Sequence, residues 1–266
     1  MNSTYNSVLT IAGSDSGGCA GIQADIKSIS ANGAFAASVI TATTAQNTRG
    51  VFDIHAIPVS HIRKQLIVVL EDIEFGAIKI GMLHSAEVIE MVKKTLREYP
   101  VKNIVLDPVM VATSGDRLLN KAALNSLKSF LSDAYLITPN IPEAEILIDK
   151  KIDFNNIVDA AKEIGNTFKT SVLLKGGHLE GSDQMTDTLF VYEIQKTVFV
   201  HNKRIQTKNT HGTGCTLSSA IAAQLSLGLH LEEAVKKACS YLNKTIVQGK
   251  DRILGMGNGP VEHFPK

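Results

Sequence analysis

A short segment with two glycines leads directly into an apolar stretch in the last third of the chain. The segment reads Gly212-Thr213-Gly214-Cys215, and the stretch after it predicts a helix over residues 214–227. The glycines let successive backbone N–H groups turn towards one point, where the start of a helix adds partial positive charge. We therefore expect an anion site that suits a phosphate whose charge grows during transfer. A helix start that binds no ligand would show the same pattern.

Cys215 falls in the first turn of this predicted helix. The helix N-terminus is expected to lower the pKa of its thiol, and beside a substrate hydroxyl the sulfur could accept a proton or orient the nucleophile. The alternative is a small cysteine packed as an apolar residue, which is the usual state of a free thiol. Cys239 lies inside a helical pattern and is expected to be of that second kind.

Groups that could bind a nucleotide and its metal follow three predicted strands. Asn140 and Glu143 open a helix, Asp107 ends an apolar strand, and Lys175 ends another. Mg²⁺ takes only one or two carboxylates, so Glu143 and Asp107 are candidate metal ligands. Lys175 and Asn140 are candidate ATP-binding residues. Each group also has an alternative that involves no ligand. Asn140 and Glu143 could form a helix capping box, Asp107 could be a turn aspartate, and Lys175 could lie in solvent.

Candidate groups for the phosphoryl acceptor lie in the first third of the chain. Residues 13–21, beginning with Gly13, are rich in glycine but match neither the dinucleotide-binding GxGxxG pattern nor the GxxxxGK[ST] phosphate loop. Gln46 ends a strand, and its carboxamide offers the donor and acceptor that suit an aminopyrimidine edge. Met82 could form an adaptable apolar wall. Asp25, on the first predicted helix, could bond the substrate or simply lie in solvent.

The order of the predicted elements indicates an α/β protein with a mostly parallel sheet. Uniformly apolar runs favour parallel strands covered by helices on both faces. In the first helix, Ile22, Ile26 and Ile29 have the spacing of a buried face. Strands are expected at residues 8–12, 38–44, 77–80, 103–106, 134–138 and 171–174, and helices at 21–31, 58–73, 85–98, 120–131, 157–168, 214–227 and 231–247.

The pattern changes after the last of these strands. Residues 187–192 and 197–201 alternate like an antiparallel hairpin, which predicts an antiparallel edge around 185–205. Because we find neither an internal repeat nor a Pro/Ser-rich linker, we expect a single domain over residues 1–266. Parallel strands present their carboxyl ends at one edge of the sheet, so we expect the candidate groups to converge there.

The amino-acid composition limits the kinds of partner and compartment that suit this chain. A net charge of +1 favours neither nucleic acid nor a membrane surface. The three cysteines are odd in number and widely spaced, which favours free thiols in a reducing compartment. The first residues lack a basic segment and a long apolar core, so no signal peptide is expected. We expect a cytoplasmic protein with a small-molecule substrate.

Several blocks of sequence, in the same order, resemble those of a known family. From about residue 8 onward the chain is similar to the hydroxymethylpyrimidine/phosphomethylpyrimidine kinases, which belong to the ribokinase-like superfamily. The blocks are Ile11-Ala12-Gly13-Ser14-Asp15, Gly21-Ile22-Gln23-Ala24-Asp25, Thr44-Ala45-Gln46-Asn47-Thr48, Lys79-Ile80-Gly81-Met82-Leu83, Thr138-Pro139-Asn140-Ile141-Pro142-Glu143, Leu174-Lys175-Gly176-Gly177-His178 and Thr210-His211-Gly212-Thr213-Gly214-Cys215.

The resemblance implies a three-layer α/β/α fold and an ATP- and Mg²⁺-dependent kinase of thiamine biosynthesis. Its acceptors would be 4-amino-5-hydroxymethyl-2-methylpyrimidine and then the monophosphate. It implies that residues 212–215 form the anion hole, that Cys215 replaces the aspartate base of related sugar kinases, and that Gln46 bonds the pyrimidine. Gly13, Asp25 and Met82 would line the pocket, and Asn140 and Glu143 would match the magnesium-linked motif. A homodimer is also implied.

Two local departures and three alternatives accompany this interpretation. Ser16 stands where the family usually has proline, with one residue fewer before Gly17, and Cys19 stands where alanine or glycine is usual.

A pyridoxal kinase is the nearest alternative, since its substrate also carries a hydroxymethyl group on a nitrogen heterocycle. A sugar kinase fits less well because of Cys215. The third is a catalytically silent regulator that binds a pyrimidine or nucleotide.

Overall fold

Nine strands form one continuous sheet in the computed structural model, which describes residues 4–110, 121–178 and 184–266. The strands are β1 (Ser7–Asp15), β2 (Phe35–Asn47), β3 (Gly50–Ala56), β4 (Ala77–Ile80), β5 (Ile104–Leu106), β6 (Leu136–Ile137), β7 (Ser171–Leu174), β8 (Gln184–Val191) and β9 (Lys196–Lys203). Their spatial order is β3-β2-β1-β4-β5-β6-β7-β8-β9. The six strands from β2 to β7 in this order pair in parallel.

Helices cover both faces of this sheet. They are α1 (Gly21–Ala31), α2 (Val59–Leu70), α3 (Ala86–Arg97), α4 (Lys121–Phe130), α5 (Ile141–Ile148), α6 (Ile157–Phe168), α7 (Thr213–Ser226) and α8 (Leu231–Gly249). Buried residues of α1, α7 and α8 belong to one apolar core, and those of α2 to α6 belong to another. Neighbouring strand residues divide between the two cores: Leu9 packs with α2 to α6, and Val8 packs with α1, α7 and α8. This is the predicted three-layer arrangement.

Most predicted elements are present. The strands at 77–80 and 171–174 and the helix at 157–168 have the predicted bounds, and the predicted hairpin is formed by β8 and β9. Ser85 caps α3 by accepting a hydrogen bond from the backbone N–H of Val88 at 3.3 Å. The predicted helix at 120–131 begins one residue outside the described part of the chain.

The sheet has an antiparallel edge on both sides, where only one was predicted. Strand β3 pairs antiparallel with the end of β2. All its residues are exposed or half-exposed, Phe52 and Ile54 among them. Without a buried face, β3 lacks the alternation of apolar and polar residues by which a strand is recognised in a sequence.

Helix α1 turns a different face to the core from the predicted one. Ile22 and Ile29 are buried, but Ile26 is 37% exposed and Asp25 is fully buried. An aspartate therefore occupies the centre of the buried face, which a prediction from apolar spacing cannot anticipate. The consequence for the site is described below.

Candidate active site

A cavity of about 670 Å³ opens along the carboxyl ends of the parallel strands. Residues at the carboxyl ends of all six parallel strands, and residues at the start of α7, line its wall. Of the residues predicted from the sequence, those that line it are Gly13, Gln46, Met82, Asp107, Asn140, Glu143, Lys175, Gly212, Thr213, Gly214 and Cys215. Asp25 does not line it.

The segment before α7 has the geometry expected of an anion site. Gly212 is the N-cap of the helix with φ of 81°, in the left-handed region that favours glycine. A Cβ atom on Gly212 would overlap the carbonyl oxygen of Cys19, so the close approach of these two loops also requires glycine. On Gly214 a Cβ would lie 3.4 Å from Oδ2 of Asp107 and 3.5 Å from Nζ of Lys175. The start of α7 is therefore in close contact with a charged pair.

The thiol of Cys215 does not have the lowered pKa that was predicted. Burial raises the pKa of Cys215 to about 11, and Lys79 and a backbone hydrogen bond with Gly21 lower it only in part. The prediction considered the helix N-terminus alone, whereas the loss of water around the sulfur is the larger effect. Cys215 is therefore a neutral thiol at neutral pH.

Asp107 and Lys175 form an ion pair inside the cavity wall. Nζ of Lys175 lies 3.0 Å from Oδ1 of Asp107, which also accepts a hydrogen bond from the Thr138 hydroxyl at 2.9 Å. Burial opposes the charge of Lys175, but Asp107 and then Glu143 outweigh it and raise the pKa of the lysine. The alternative of a lysine in solvent is therefore wrong, and a fixed positive charge lies beside the start of α7.

Asn140 and Glu143 form the predicted capping box of α5. The Asn140 side chain accepts from the Glu143 N–H, and Oε2 of Glu143 accepts from the Asn140 N–H, both at 2.9 Å. Burial raises the pKa of Glu143 to about 7, with Lys175 opposing the shift and Asp107 adding to it. Within the described ranges, no three or more His, Cys, Asp or Glu side chains are arranged to hold a metal ion.

Gln46 is held at the other end of the cavity. Its Nε2 lies 3.0 Å from Nε2 of His211, and its Oε1 lies 3.1 Å from the Thr44 hydroxyl. Met82 packs beside it against Gly13, since a Cβ on Gly13 would come within 2.6 Å of the Met82 methyl carbon. The amide and the apolar wall thus border one part of the cavity, and the ion pair borders another.

Asp25 is placed beneath the cavity, neither in solvent nor against a ligand. Both of its carboxylate oxygens lie 2.8 Å from Nζ of Lys79. The hydroxyls of Thr10 and Ser219 donate to it at 2.6 and 2.8 Å. With these partners in place, direct contact between Asp25 and a substrate in this structure is excluded.

The comparison with known families decides what kind of protein carries this cavity. A family model described as phosphomethylpyrimidine kinase matches residues 15–262. The chain belongs to the phosphomethylpyrimidine kinase family. No helix in the described ranges is long and apolar enough to cross a membrane.

The relatives of this chain differ in length. It is 48% identical over 260 residues to the thiamine biosynthesis bifunctional protein ThiED of Geobacter sulfurreducens, covering 97% of this chain and 52% of that protein. It is 43% identical over 259 residues to the hydroxymethylpyrimidine/phosphomethylpyrimidine kinase of Escherichia coli, covering 96% of both. The chain thus spans about half the length of the bifunctional relative and nearly all of the shorter one.

Two solved structures extend the comparison. The phosphomethylpyrimidine kinase from Clostridium difficile is 43% identical, with a TM-score of 0.79 over 90% of this chain and 99% of that chain. The Bacillus subtilis pyridoxal kinase, solved as an ADP complex, is 32% identical, with a TM-score of 0.89 over 98% of both chains. The predicted ribokinase-like fold is confirmed.

Three residues of the site were missed in the sequence. Asp15 is buried and accepts from the backbone N–H groups of Gly17, Cys19 and Ala20 at 2.8–2.9 Å, so it shapes the glycine-rich loop. Lys79 is a lysine in an otherwise apolar strand, a signal that could have been followed. His211 precedes the glycine segment directly, but nothing in the sequence indicates that it meets Gln46.

Proposed function

We propose that the chain transfers the γ-phosphoryl group of ATP to 4-amino-5-hydroxymethyl-2-methylpyrimidine, and then phosphorylates the monophosphate to the diphosphate, in thiamine biosynthesis. One observation carries the proposal: the glycine segment before α7, the Asp107–Lys175 pair and the Gln46–His211 pair all border one cavity. A kinase needs to bring a phosphate-binding end and an acceptor-binding end together.

The acceptor end fits a small polar heterocycle. The Gln46 carboxamide offers a donor and an acceptor in a fixed orientation, and Met82 offers an apolar surface beside it. In the proposed complex Gln46 bonds the aminopyrimidine edge and Met82 contacts the ring. The hydroxymethyl oxygen then points towards the start of α7.

The phosphoryl end works by position and charge. Phosphoryl transfer has a loose transition state whose negative charge is spread over the oxygens of the transferred group. Backbone N–H groups at the start of α7 and the ammonium of Lys175 lie next to each other in the cavity wall and would stabilise that charge. Cys215 would orient the acceptor hydroxyl as a neutral thiol, and only its thiolate form could accept the hydroxyl proton, becoming the thiol as the new O–P bond forms and the bond to ADP breaks.

The residues present fit Mg²⁺. Burial and the charge of Asp107 both raise the pKa of Glu143, so the two carboxylates lie close enough to interact. A pair of carboxylates on a cavity wall suits a cation that draws its other ligands from water and phosphate. When bound, Mg²⁺ would neutralise charge on the ATP phosphates. Glu143 and Asp107 are the residues that would hold it, with Asn140 fixing Glu143 and Lys175 contacting ATP.

The proposal is tested by product analysis. Purified protein receives Mg·ATP with hydroxymethylpyrimidine, its monophosphate or pyridoxal in separate reactions, and products are identified by mass spectrometry. Monophosphate from the first and diphosphate from the second support the proposal. No product in any reaction would favour the silent regulator.

Pyridoxal phosphorylation is the second candidate function. The similarity to a pyridoxal kinase structure over 98% of both chains favours it, because that kinase has the same fold. Product from pyridoxal alone would assign the chain to vitamin B6 salvage. Product from all three acceptors would indicate overlapping activities.

We also propose a cytoplasmic homodimer. Free thiols at Cys19, Cys215 and Cys239 are typical of a reducing compartment. Strand β3 leaves an edge of the sheet with Phe52 and Ile54 exposed, a surface that a second copy could cover. Light scattering after size-exclusion chromatography distinguishes a dimer from a monomer.

A further inference from the structure

A fully buried ion pair lies beneath the candidate active site. Lys79 and Asp25 both have side chains that are 0% exposed, and Nζ lies 2.8 Å from each carboxylate oxygen. Thr10 and Ser219 donate to the two oxygens from β1 and α7, so the carboxylate is fixed on three sides. Burial alone would lower the pKa of Lys79, but Asp25 outweighs it and the pKa is raised. The pair is therefore charged.

The pair has a definite direction relative to the cavity. Lys79 borders the cavity wall together with Cys215, whereas Asp25 does not border it. A Cβ on Gly81, which follows Lys79 by two residues, would come within 2.7 Å of Nζ. Glycine at this position leaves the ammonium its space just under the floor. The positive end thus points to the cavity and the negative end points away from it.

Helix α7 connects the pair to Cys215. Cys215 and Ser219 are four residues apart and lie on the same face of the helix. Ser219 donates to Asp25, which places the Asp25–Lys79 pair against the turn that carries the thiol. The thiol also interacts with the Gly21 backbone at the start of α1.

A buried ion pair of this kind adds little to the stability of the fold. Removing two charges from water costs about as much as their attraction returns, and well-packed apolar residues often replace buried pairs without loss. A fixed dipole does, however, act strongly on a charge that develops nearby in a medium of low polarity. The direction of this one is suited to stabilising negative charge at the cavity floor.

We propose that Asp25 and Lys79 are positioning residues that form an oriented dipole, with its ammonium end under Cys215, and that this dipole stabilises negative charge on the sulfur and on the acceptor oxygen beside it. The effect on the acceptor oxygen rests on the proposed function. The effect on the sulfur does not, because it concerns the folded protein without substrate.

Charged groups on several different elements act on the Cys215 thiol. Lys79 comes from β4, Asp25 from α1, Asp107 from the end of β5 and Lys175 from the end of β7. Lys79 favours the thiolate more than Asp25 disfavours it. Removing the two ends of the dipole one at a time should therefore change the thiol in opposite directions.

The experiment measures the rate at which iodoacetamide alkylates Cys215 in the full chain, at fixed pH between 7 and 9, with the label located by peptide mass spectrometry. The variants are Lys79→Met, Asp25→Asn, the double variant and Ser219→Ala. Only a thiolate reacts, so the rate follows the thiolate fraction. Ser219→Ala is the matched control, since it perturbs the same network without removing a charge, and its rate should stay within about twofold of the parent.

The proposal predicts an order of rates. Asp25→Asn should react fastest, then the parent, then the double variant, and Lys79→Met slowest, about tenfold or more below the parent. If the substitutions merely loosen the fold, both single variants will react faster than the parent, and the proposal is wrong. Should a single variant fail to fold, the double variant decides, because it leaves no unpaired charge: a rate equal to or above that of the parent overturns the proposal.

Kinase assays on the same variants separate this inference from the function. A Lys79→Met protein with a lower kcat and an unchanged KM for the acceptor is the expected result, because the dipole acts on developing charge. If the parent phosphorylates none of the acceptors, the proposed function is wrong. The order of alkylation rates still tests the effect of the dipole on Cys215, because that measurement needs no substrate.

Discussion

The Nε2 atoms of Gln46 and His211 lie 3.0 Å apart, and this contact joins the end of β2 to the segment that precedes α7. His211 also hydrogen-bonds the backbone of Asn258, an interaction that favours a proton on its other ring nitrogen. Nε2 is then the acceptor, and the Gln46 amide donates to it. One histidine thus fixes which way the carboxamide of Gln46 faces the cavity.

This contact predicts a pH-dependent affinity for the acceptor. Burial lowers the pKa of His211, with Asp15 and the Asn258 backbone opposing the shift. The ring is therefore neutral at neutral pH and loses its acceptor only when it is protonated below the usual histidine range. We expect the KM for the pyrimidine to rise as the pH falls through that lowered pKa.

The matched variant is His211→Phe, which retains an aromatic ring but cannot accept a hydrogen bond. It should raise the KM for the acceptor by about fivefold to thirtyfold at neutral pH, the loss of one to two kcal/mol, and remove the rise at low pH. The KM for ATP serves as the internal control. A variant with the parent's acceptor KM would show that His211 does not orient Gln46.

Replacing Cys215 should affect turnover more than binding. Cys215→Ala removes the thiol but keeps the start of α7, so ATP should bind with an affinity near that of the parent. Loss of a group that moves a proton costs about a hundredfold or more in kcat. Calorimetry gives the ATP affinity, and single-turnover kinetics gives the chemical step. Undiminished turnover would remove Cys215 from the mechanism.

Glu143→Gln tests the proposed metal ligand while preserving the helix cap. The amide oxygen can still accept from the Asn140 N–H, whose bond to Glu143 is 2.9 Å long, so α5 should remain stable. A missing carboxylate charge weakens the attraction for Mg²⁺. We expect half-maximal activity to need several times more Mg²⁺, with an unchanged melting temperature. An unchanged Mg²⁺ requirement would leave Glu143 with its capping role alone.

A second histidine links stability to pH. His263 is 4% exposed, and its Nε2 lies 3.1 Å from the hydroxyl of Thr216, which itself donates to the carbonyl of Gly212. Burial, followed by Lys27, lowers the pKa of His263 from 6.5 to about 4. In this range the unfolded chain binds more protons than the folded one, so stability is full above pH 6.5 and falls as the pH decreases towards 4.

Protonation of His263 is expected to lower the free energy of unfolding by roughly 3 kcal/mol across this pH range. It is measured as the difference in urea unfolding between the parent and His263→Asn at several pH values. The variant should be less stable at pH 7.5, and its difference from the parent should shrink as the pH falls. A difference that is constant with pH would show that His263 titrates equally in both states.

The sequence predicts features that depend on local residue patterns, and it misses contacts between residues far apart in the chain. The parallel strands and the glycine segment at 212–215 follow from apolar runs and turn residues, which are local. The Gln46–His211 contact spans 165 residues, and Asp25 meets Lys79 across 54. Such contacts depend on the packing of α1 and α7 against the sheet, which no spacing rule encodes.

The burial and pKa of the site residues were harder to predict from the sequence than the elements on which they lie. The segment of Cys215 was predicted correctly, but its thiol pKa was not, because burial outweighs the helix N-terminus and Lys79. Asp25 was expected either against the substrate or in solvent, and it lies at the centre of a buried face. Both depend on how much water remains around a group, and that is known only once the helices are packed.

The most direct test of the central claim follows the second phosphoryl transfer alone. The pyrimidine monophosphate is mixed with Mg·ATP and the purified chain, and ³¹P NMR follows the reaction in time. The account predicts that the monoester signal is replaced by the paired signals of a diphosphate as ADP accumulates in equal amount, and that Cys215→Ala slows this greatly. ATP hydrolysis without diphosphate, or an unchanged monoester signal, would contradict it.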